Sequence, residues 1–139
     1  MRTVFADTLY WIAVVRPADP WRAAAEHARC AVGPAVLVTT DEVLVEFLAA
    51  LSGHGKTLRV KAAQMVRRIL ADPNVRVVPQ SRDTFLQGLQ LYEQRPDKDY
   101  SLTDCISMHA MRAQGVNDVL TNDRHFAQEG FRVLISQKF

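Results

Sequence analysis

Apolar and polar residues fall in blocks along this chain, and the blocks alternate between two periods. Short uninterrupted runs, Thr3-Val4-Phe5-Ala6, Ala35-Val36-Leu37-Val38-Thr39 and Asn74 to Val78, read as strands. The second is apolar almost throughout, the pattern of a strand covered on both faces. Longer stretches with helical signatures lie between them. Leu9 to Val14 predicts a turn of helix. Asp19 predicts a cap, with Pro20 in the first position of a helix that runs to about Ala31 and stops at Gly33-Pro34. Thr39 or Thr40 opens a helix from Asp41 to Leu51. Lys56 to Leu70 is amphipathic and ends at Asp72-Pro73, and Ser81 caps a helix to about Gln94. Ser101 starts a further helix that Gly115 stops, and strands at 118–121 and 132–135 follow. Strands alternating with helices predict βαβ units on a mainly parallel sheet. The expected fold class is α/β, a three-layer α/β/α sandwich, as a single domain over residues 1–139.

Composition narrows the picture. A chain of 139 residues with 48% apolar content can bury a normal core. A net charge of +2 is too small to indicate a nucleic-acid partner by itself. Cys30 and Cys105 lie in predicted helices without metal-ligand spacing, so both are expected to be small buried hydrophobes in a reducing compartment. No apolar run approaches the ~18 residues of a membrane span. Asp7 precedes the run from Leu9 to Val15 and Arg16-Pro17-Ala18-Asp19 ends it, which argues against a signal peptide. The expectation is a cytoplasmic protein without a membrane partner.

The chemistry lies in the carboxylates. Sites in open α/β sheets form beyond the carboxyl ends of the strands. Asp7 follows the first strand, Asp41, Glu42 and Glu46 follow the second, and Asp123 follows the fourth; Asp104 begins the helix that feeds the fourth. Glu46 stands in an apolar run, Val43-Leu44-Val45 before it and Phe47-Leu48-Ala49-Ala50-Leu51 after it, which predicts a partly desolvated carboxylate. Asp104 completes a capping box with Ser101, a role compatible with facing a crevice. Thr39 and Glu42 fit the same box, and capping is the reading for Glu42. Asp7 and Asp123 could each close a simple turn.

Carboxylates gathered in one crevice stay ionised at neutral pH only if a cation offsets their repulsion. Oxygen-only donors select Mg²⁺ or Mn²⁺, whereas His27, His54, His109 and His125 are scattered and form no cluster with cysteine. The reaction that follows is hydrolysis of a phosphodiester by water.

These residues resemble the PIN-domain family, particularly the VapC-type toxins of prokaryotic toxin–antitoxin pairs. The carriers are Phe5-Ala6-Asp7-Thr8, Thr39 to Glu46, Tyr100-Ser101-Leu102-Thr103-Asp104-Cys105 and Leu120-Thr121-Asn122-Asp123-Arg124-His125-Phe126, across nearly the whole chain. The resemblance implies a Mg²⁺- or Mn²⁺-dependent endoribonuclease acting on RNA, dimeric and silenced by an antitoxin. It puts the catalytic, metal-binding acids at Asp7, Glu46, Asp104 and Asp123. Asp7 and Asp104 are the nearest metal ligands, Glu46 orients a water, and Asp123 completes the site. Thr121 is the supporting polar residue and Asp99 an occasional extra acid. The family often has a small polar residue two places after the first acid, where this chain has Leu9.

Lys56, Arg59, Lys61, Arg67, Arg68 and Arg76 are candidates for salt-dependent phosphate contacts. Two other readings compete with the nuclease. One is a non-catalytic binding module on the same fold. The other is an aspartyl phosphohydrolase, disfavoured because Leu9 stands where its second Asp belongs.

Overall fold

A computed structural model describes residues 1–136. Twelve elements alternate in the order β1 (Arg2–Ala6), α1 (Thr8–Val15), α2 (Arg22–Val32), β2 (Ala35–Thr40), α3 (Asp41–Leu51), α4 (Lys56–Ala71), β3 (Val75–Val78), α5 (Arg82–Gln94), α6 (Leu102–Ala113), β4 (Asp118–Leu120), α7 (Arg124–Gln128) and β5 (Arg132–Val133). The five strands form one sheet in the order β3-β2-β1-β4-β5, with every pairing parallel. Helices cover both faces, giving the expected three-layer α/β/α sandwich.

Strand β1 sits at the centre because it can be buried on both faces: Val4, Phe5 and Ala6 are fully inaccessible. Val38, Val119 and Leu120 flank it, and Phe47, Met108, Met111 and Phe126 close over it from the helices. Each of the valine, leucine, methionine and phenylalanine side chains contributes about 1.5–3 kcal/mol on burial. The chain starts on β1, moves outward through β2 and β3, then returns to the other side of β1 for β4 and β5. The order therefore reverses between β1 and β4, and a crevice opens at their carboxyl ends.

Helix α6 is fixed at both ends. Ser101 and Asp104 form a reciprocal capping box at its start. At its end Gly115 takes φ 68°, its N–H donates to Arg112, and the Val116 N–H reaches back to Met111 at 2.8 Å. This Schellman closure needs a left-handed residue, which glycine adopts without a Cβ clash.

Several boundaries differ from expectation. Helix α2 begins at Arg22, two residues later than a cap at Asp19 predicts, because the Asp19 carboxylate accepts the Trp21 N–H at 2.8 Å and holds Pro20 in a turn. Thr40, not Thr39, caps α3 by accepting the Val43 N–H at 3.0 Å. Thr39 is turned inward, donating to the Ala6 carbonyl at 2.9 Å, so the box proposed for Glu42 does not form. Cys105 is buried as expected, but Cys30 is exposed, because α2 packs through Ala24, Ala25, Ala28 and Val32 instead. The last strand is formally short, although Leu134 and Ile135 still donate to Val119 and Thr121. Among the described residues no helix is long and apolar enough to cross a membrane.

Candidate metal-dependent active site

The four acids reach one cleft from four different elements. Asp7 stands between β1 and α1, with extended backbone at φ −88° and ψ 169°, and is only 7% exposed. Its own N–H donates to the Leu120 carbonyl at 3.3 Å, carrying the β1–β4 ladder one step past the strand. Glu46 comes from the second turn of α3, Asp104 from the first turn of α6, and Asp123 from the start of α7. All four line a cleft of about 980 Å³ at the strand-order reversal.

Hydroxyl groups set the carboxylates in place. Thr121, fully buried at the end of β4, donates from Oγ1 to Asp7 Oδ2 at 2.9 Å. The same oxygen accepts the Asp123 N–H at 3.2 Å, so one side chain joins two of the acids. Thr8 Oγ1 donates to Glu46 Oε1 at 2.5 Å. Leu9 forms part of the cleft wall. Asp104 Oδ2 accepts the Ser101 N–H at 3.1 Å and lies as close to His125 Nδ1 on the cleft wall. The capping role and the cleft-facing role coexist in this residue.

Crowding and burial disturb the acids. Burial, followed by repulsion from Asp104 and Glu46, pushes the Asp7 carboxyl up to about 7, against the Thr8 N–H and the Thr121 hydroxyl, which favour the anion. Burial also raises Asp104, with repulsion from Asp123 adding to it, while the Ser101 N–H and His125 pull the other way. Among the described residues, none of the four acids forms an ion pair with lysine or arginine. Crowded, desolvated carboxylates without such a partner fit a divalent cation; among the described residues, Asp104, Asp123 and His125 bring ligand atoms within 4.8 Å of one another, while Asp7 and Glu46 line the same cleft outside that group.

Glu46 is half-buried, as its apolar run predicts, although Val45 and Leu48 on the same helix are exposed. One expectation requires correction. Asp99 is exposed and does not line the cleft. The basic residues of α4 are not among those lining this cleft; Arg59 bonds to Ser52, and Arg76, on β3, bonds to Gln114. The cations at the cleft are Arg16 and Arg124.

His125, which shows no partner in the sequence, is the main residue that sequence reasoning misses. Its Nδ1 lies 3.1 Å from Asp104 Oδ2 and 3.3 Å from Asp123 Oδ1. Its place two residues after Asp123 is the one signal that could have found it.

Comparison with known proteins agrees with this architecture. The chain is 28% identical over 131 residues to the 23S rRNA-specific endonuclease VapC20 of Mycobacterium tuberculosis, covering 92% of this chain and 95% of that one. The crystal structure of M. tuberculosis VapC20, described as a sarcin–ricin loop cleaving toxin, superposes with a TM-score of 0.81 at 25% identity, with the same coverage of both chains. FitAcB from Neisseria gonorrhoeae shares the fold, with a TM-score of 0.68 at 13% identity over 94% of this chain and 96% of that one. The family model for the PIN domain matches residues 4–131, and the chain belongs to the PIN-domain family.

Proposed function

We propose that this protein is a Mg²⁺- or Mn²⁺-dependent endoribonuclease, the toxin of a toxin–antitoxin pair, with residues 1–139 acting as one nuclease domain in the cytoplasm. The observation that carries the reading is the meeting of Asp7, Glu46, Asp104 and Asp123 in one cleft, with no lysine or arginine ion-paired to any of them among the described residues. The similarity to VapC20, a 23S rRNA-specific endonuclease, supports RNA as the substrate class.

Asp7 and Asp104 hold the cation, with Asp123 completing the set. When bound, such an ion polarises a phosphoryl oxygen and makes water a better nucleophile. Glu46, fixed by the Thr8 hydroxyl, orients the attacking water. Thr121 keeps the Asp7 carboxylate aimed into the cleft and stabilises its anionic form. Arg16 and Arg124 offer positive charge to the flanking phosphates of the strand. A homodimer and a protein antitoxin belong to the same reading. The exposed apolar side chains Val45, Leu48 and Val60 offer surface for such contacts.

Incubation of the purified protein with ribosomal RNA, in Mg²⁺, in Mn²⁺ and in chelator, tests this. Discrete cuts are expected with either ion and none in chelator. Asp104→Asn, a near-isosteric change, should lose the cuts and remain folded by circular dichroism. Cleavage at the parental rate by that variant would remove Asp104 from the mechanism.

A further inference from the structure

The donor set of the cleft is not made of oxygen alone. One ligand atom each from Asp104, Asp123 and His125 lie within 4.8 Å of one another. The His125 nitrogen concerned is Nδ1, at 3.1 Å from Asp104 Oδ2 and 3.3 Å from Asp123 Oδ1. Two neighbouring ligands of an octahedral ion with bonds near 2.1 Å stand about 3.0 Å apart. The observed separations are close to that edge length.

The imidazole is held there by contacts that involve no metal. The His125 N–H donates to Asp123 Oδ1 at 2.9 Å, fixing the first turn of α7. Its ring lies against that of Tyr100, with centroids 5.4 Å apart and planes at 57°. Tyr100 is anchored in turn by its hydroxyl, which donates to Glu129 at 2.8 Å. In the tautomer that carries its proton on Nε2, the Nδ1 lone pair faces the two carboxylates.

From this geometry we propose that His125 Nδ1 is a direct ligand of the divalent ion and that it biases the centre toward Mn²⁺ over Mg²⁺. The inference rests on the metal-dependent reading of the cleft and adds a nitrogen donor to it. Mg²⁺ demands oxygen and dehydrates reluctantly, whereas first-row transition ions accept imidazole readily. The rival role for His125 is a hydrogen-bonding counter-ion that stays outside the coordination sphere.

Pulsed electron paramagnetic resonance on Mn²⁺ added to the metal-free protein separates the two, with Mn²⁺ and Mg²⁺ affinities taken from calorimetry on the same samples. The expected result is a ¹⁴N modulation of the Mn²⁺ signal in the parent that disappears in His125→Ala. The ratio of Mn²⁺ to Mg²⁺ affinity should also fall on the order of tenfold in that variant. His125→Asn, which retains a polar group but no imidazole, should match His125→Ala. Bound Mn²⁺ without nitrogen modulation, or modulation that survives in both variants, overturns the ligation and leaves the metal reading standing. Modulation with an unchanged affinity ratio overturns the selectivity. Failure of Mn²⁺ to bind at all removes the metal reading and this inference together.

Discussion

The Thr121 hydroxyl donates to Asp7 Oδ2 at 2.9 Å across 114 positions of sequence, joining the ends of two adjacent parallel strands. Its oxygen also accepts the Asp123 N–H, so a single buried atom sets the separation of two acids. Thr121→Val keeps the shape and removes both bonds. The expected cost is about 1–3 kcal/mol in urea unfolding, because the buried Asp7 carboxylate and the Asp123 N–H each lose a partner. Divalent-ion affinity should weaken as well, and Thr121→Ser should restore most of both. Unchanged stability and affinity in Thr121→Val would contradict this role.

Asp7 makes the metal-free protein sensitive to pH. Its folded value of about 7 lies above the ordinary 3.8, so the folded chain keeps a proton that the unfolded chain has already released. This group's contribution to stability is therefore full below about pH 4 and is lost as pH rises to about 7. In chelator, the melting temperature of the parent should fall between about pH 5 and pH 8. Asp7→Asn should flatten that slope and melt higher at the alkaline end. Differential scanning fluorimetry across the range checks both, and identical pH profiles for the two proteins would refute the assignment.

Glu129 fastens the support of the cleft. Burial pushes its carboxyl up, but hydrogen bonds from Arg95, Tyr100 and Arg112 outweigh this and hold it below the usual range. These bonds tie α6 and the segment ahead of it to the end of α7. Their contribution is present above the ordinary carboxylate range and is lost as pH falls through the lowered value. Glu129→Gln should cost about 1–3 kcal/mol at neutral pH by chemical denaturation. Because α7 carries His125 and is capped by Asp123, nuclease activity should drop in parallel.

Gly88 permits the close packing of α5 on α6. A Cβ there would meet the Ile106 side chain and lie 3.2 Å from its backbone nitrogen and Cα. Ile106 is two residues from Asp104 on the same helix. Gly88→Ala should destabilise the protein by about 1–3 kcal/mol, because backbone must shift to make room. Equilibrium unfolding measures it, and a neutral or stabilising result would show that the helices can separate freely.

Much of this fold was legible because local rules agreed with global ones. The apolar run Ala35 to Thr39 read as a strand covered on both faces and lies beside the central strand of the sheet. Ser101, Asp104 and Gly115 marked both ends of α6, and the structure forms both closures. What stayed hidden depended on tertiary placement. Strand order leaves no mark in the sequence, so the meeting of Asp7 with Thr121 could not be read from either residue. His125 shows no distant partner in the sequence because Asp104, which its Nδ1 meets at 3.1 Å, is 21 positions away. Thr8 and Glu46 are 38 positions apart and meet only when α1 packs against α3. The apolar run around Glu46 correctly marks a half-buried carboxylate, although Val45 and Leu48 in the same run face outward.

The central claim is that carboxylates from four separate elements form one cation-binding centre. Calorimetric titration of Mn²⁺ into metal-free parent, Asp7→Asn and Asp104→Asn tests it most directly, with circular dichroism establishing that all three are folded. Saturable binding to the parent is expected, with a loss of at least about tenfold in affinity in each variant. Equal affinities in all three proteins would put the ion elsewhere and contradict it.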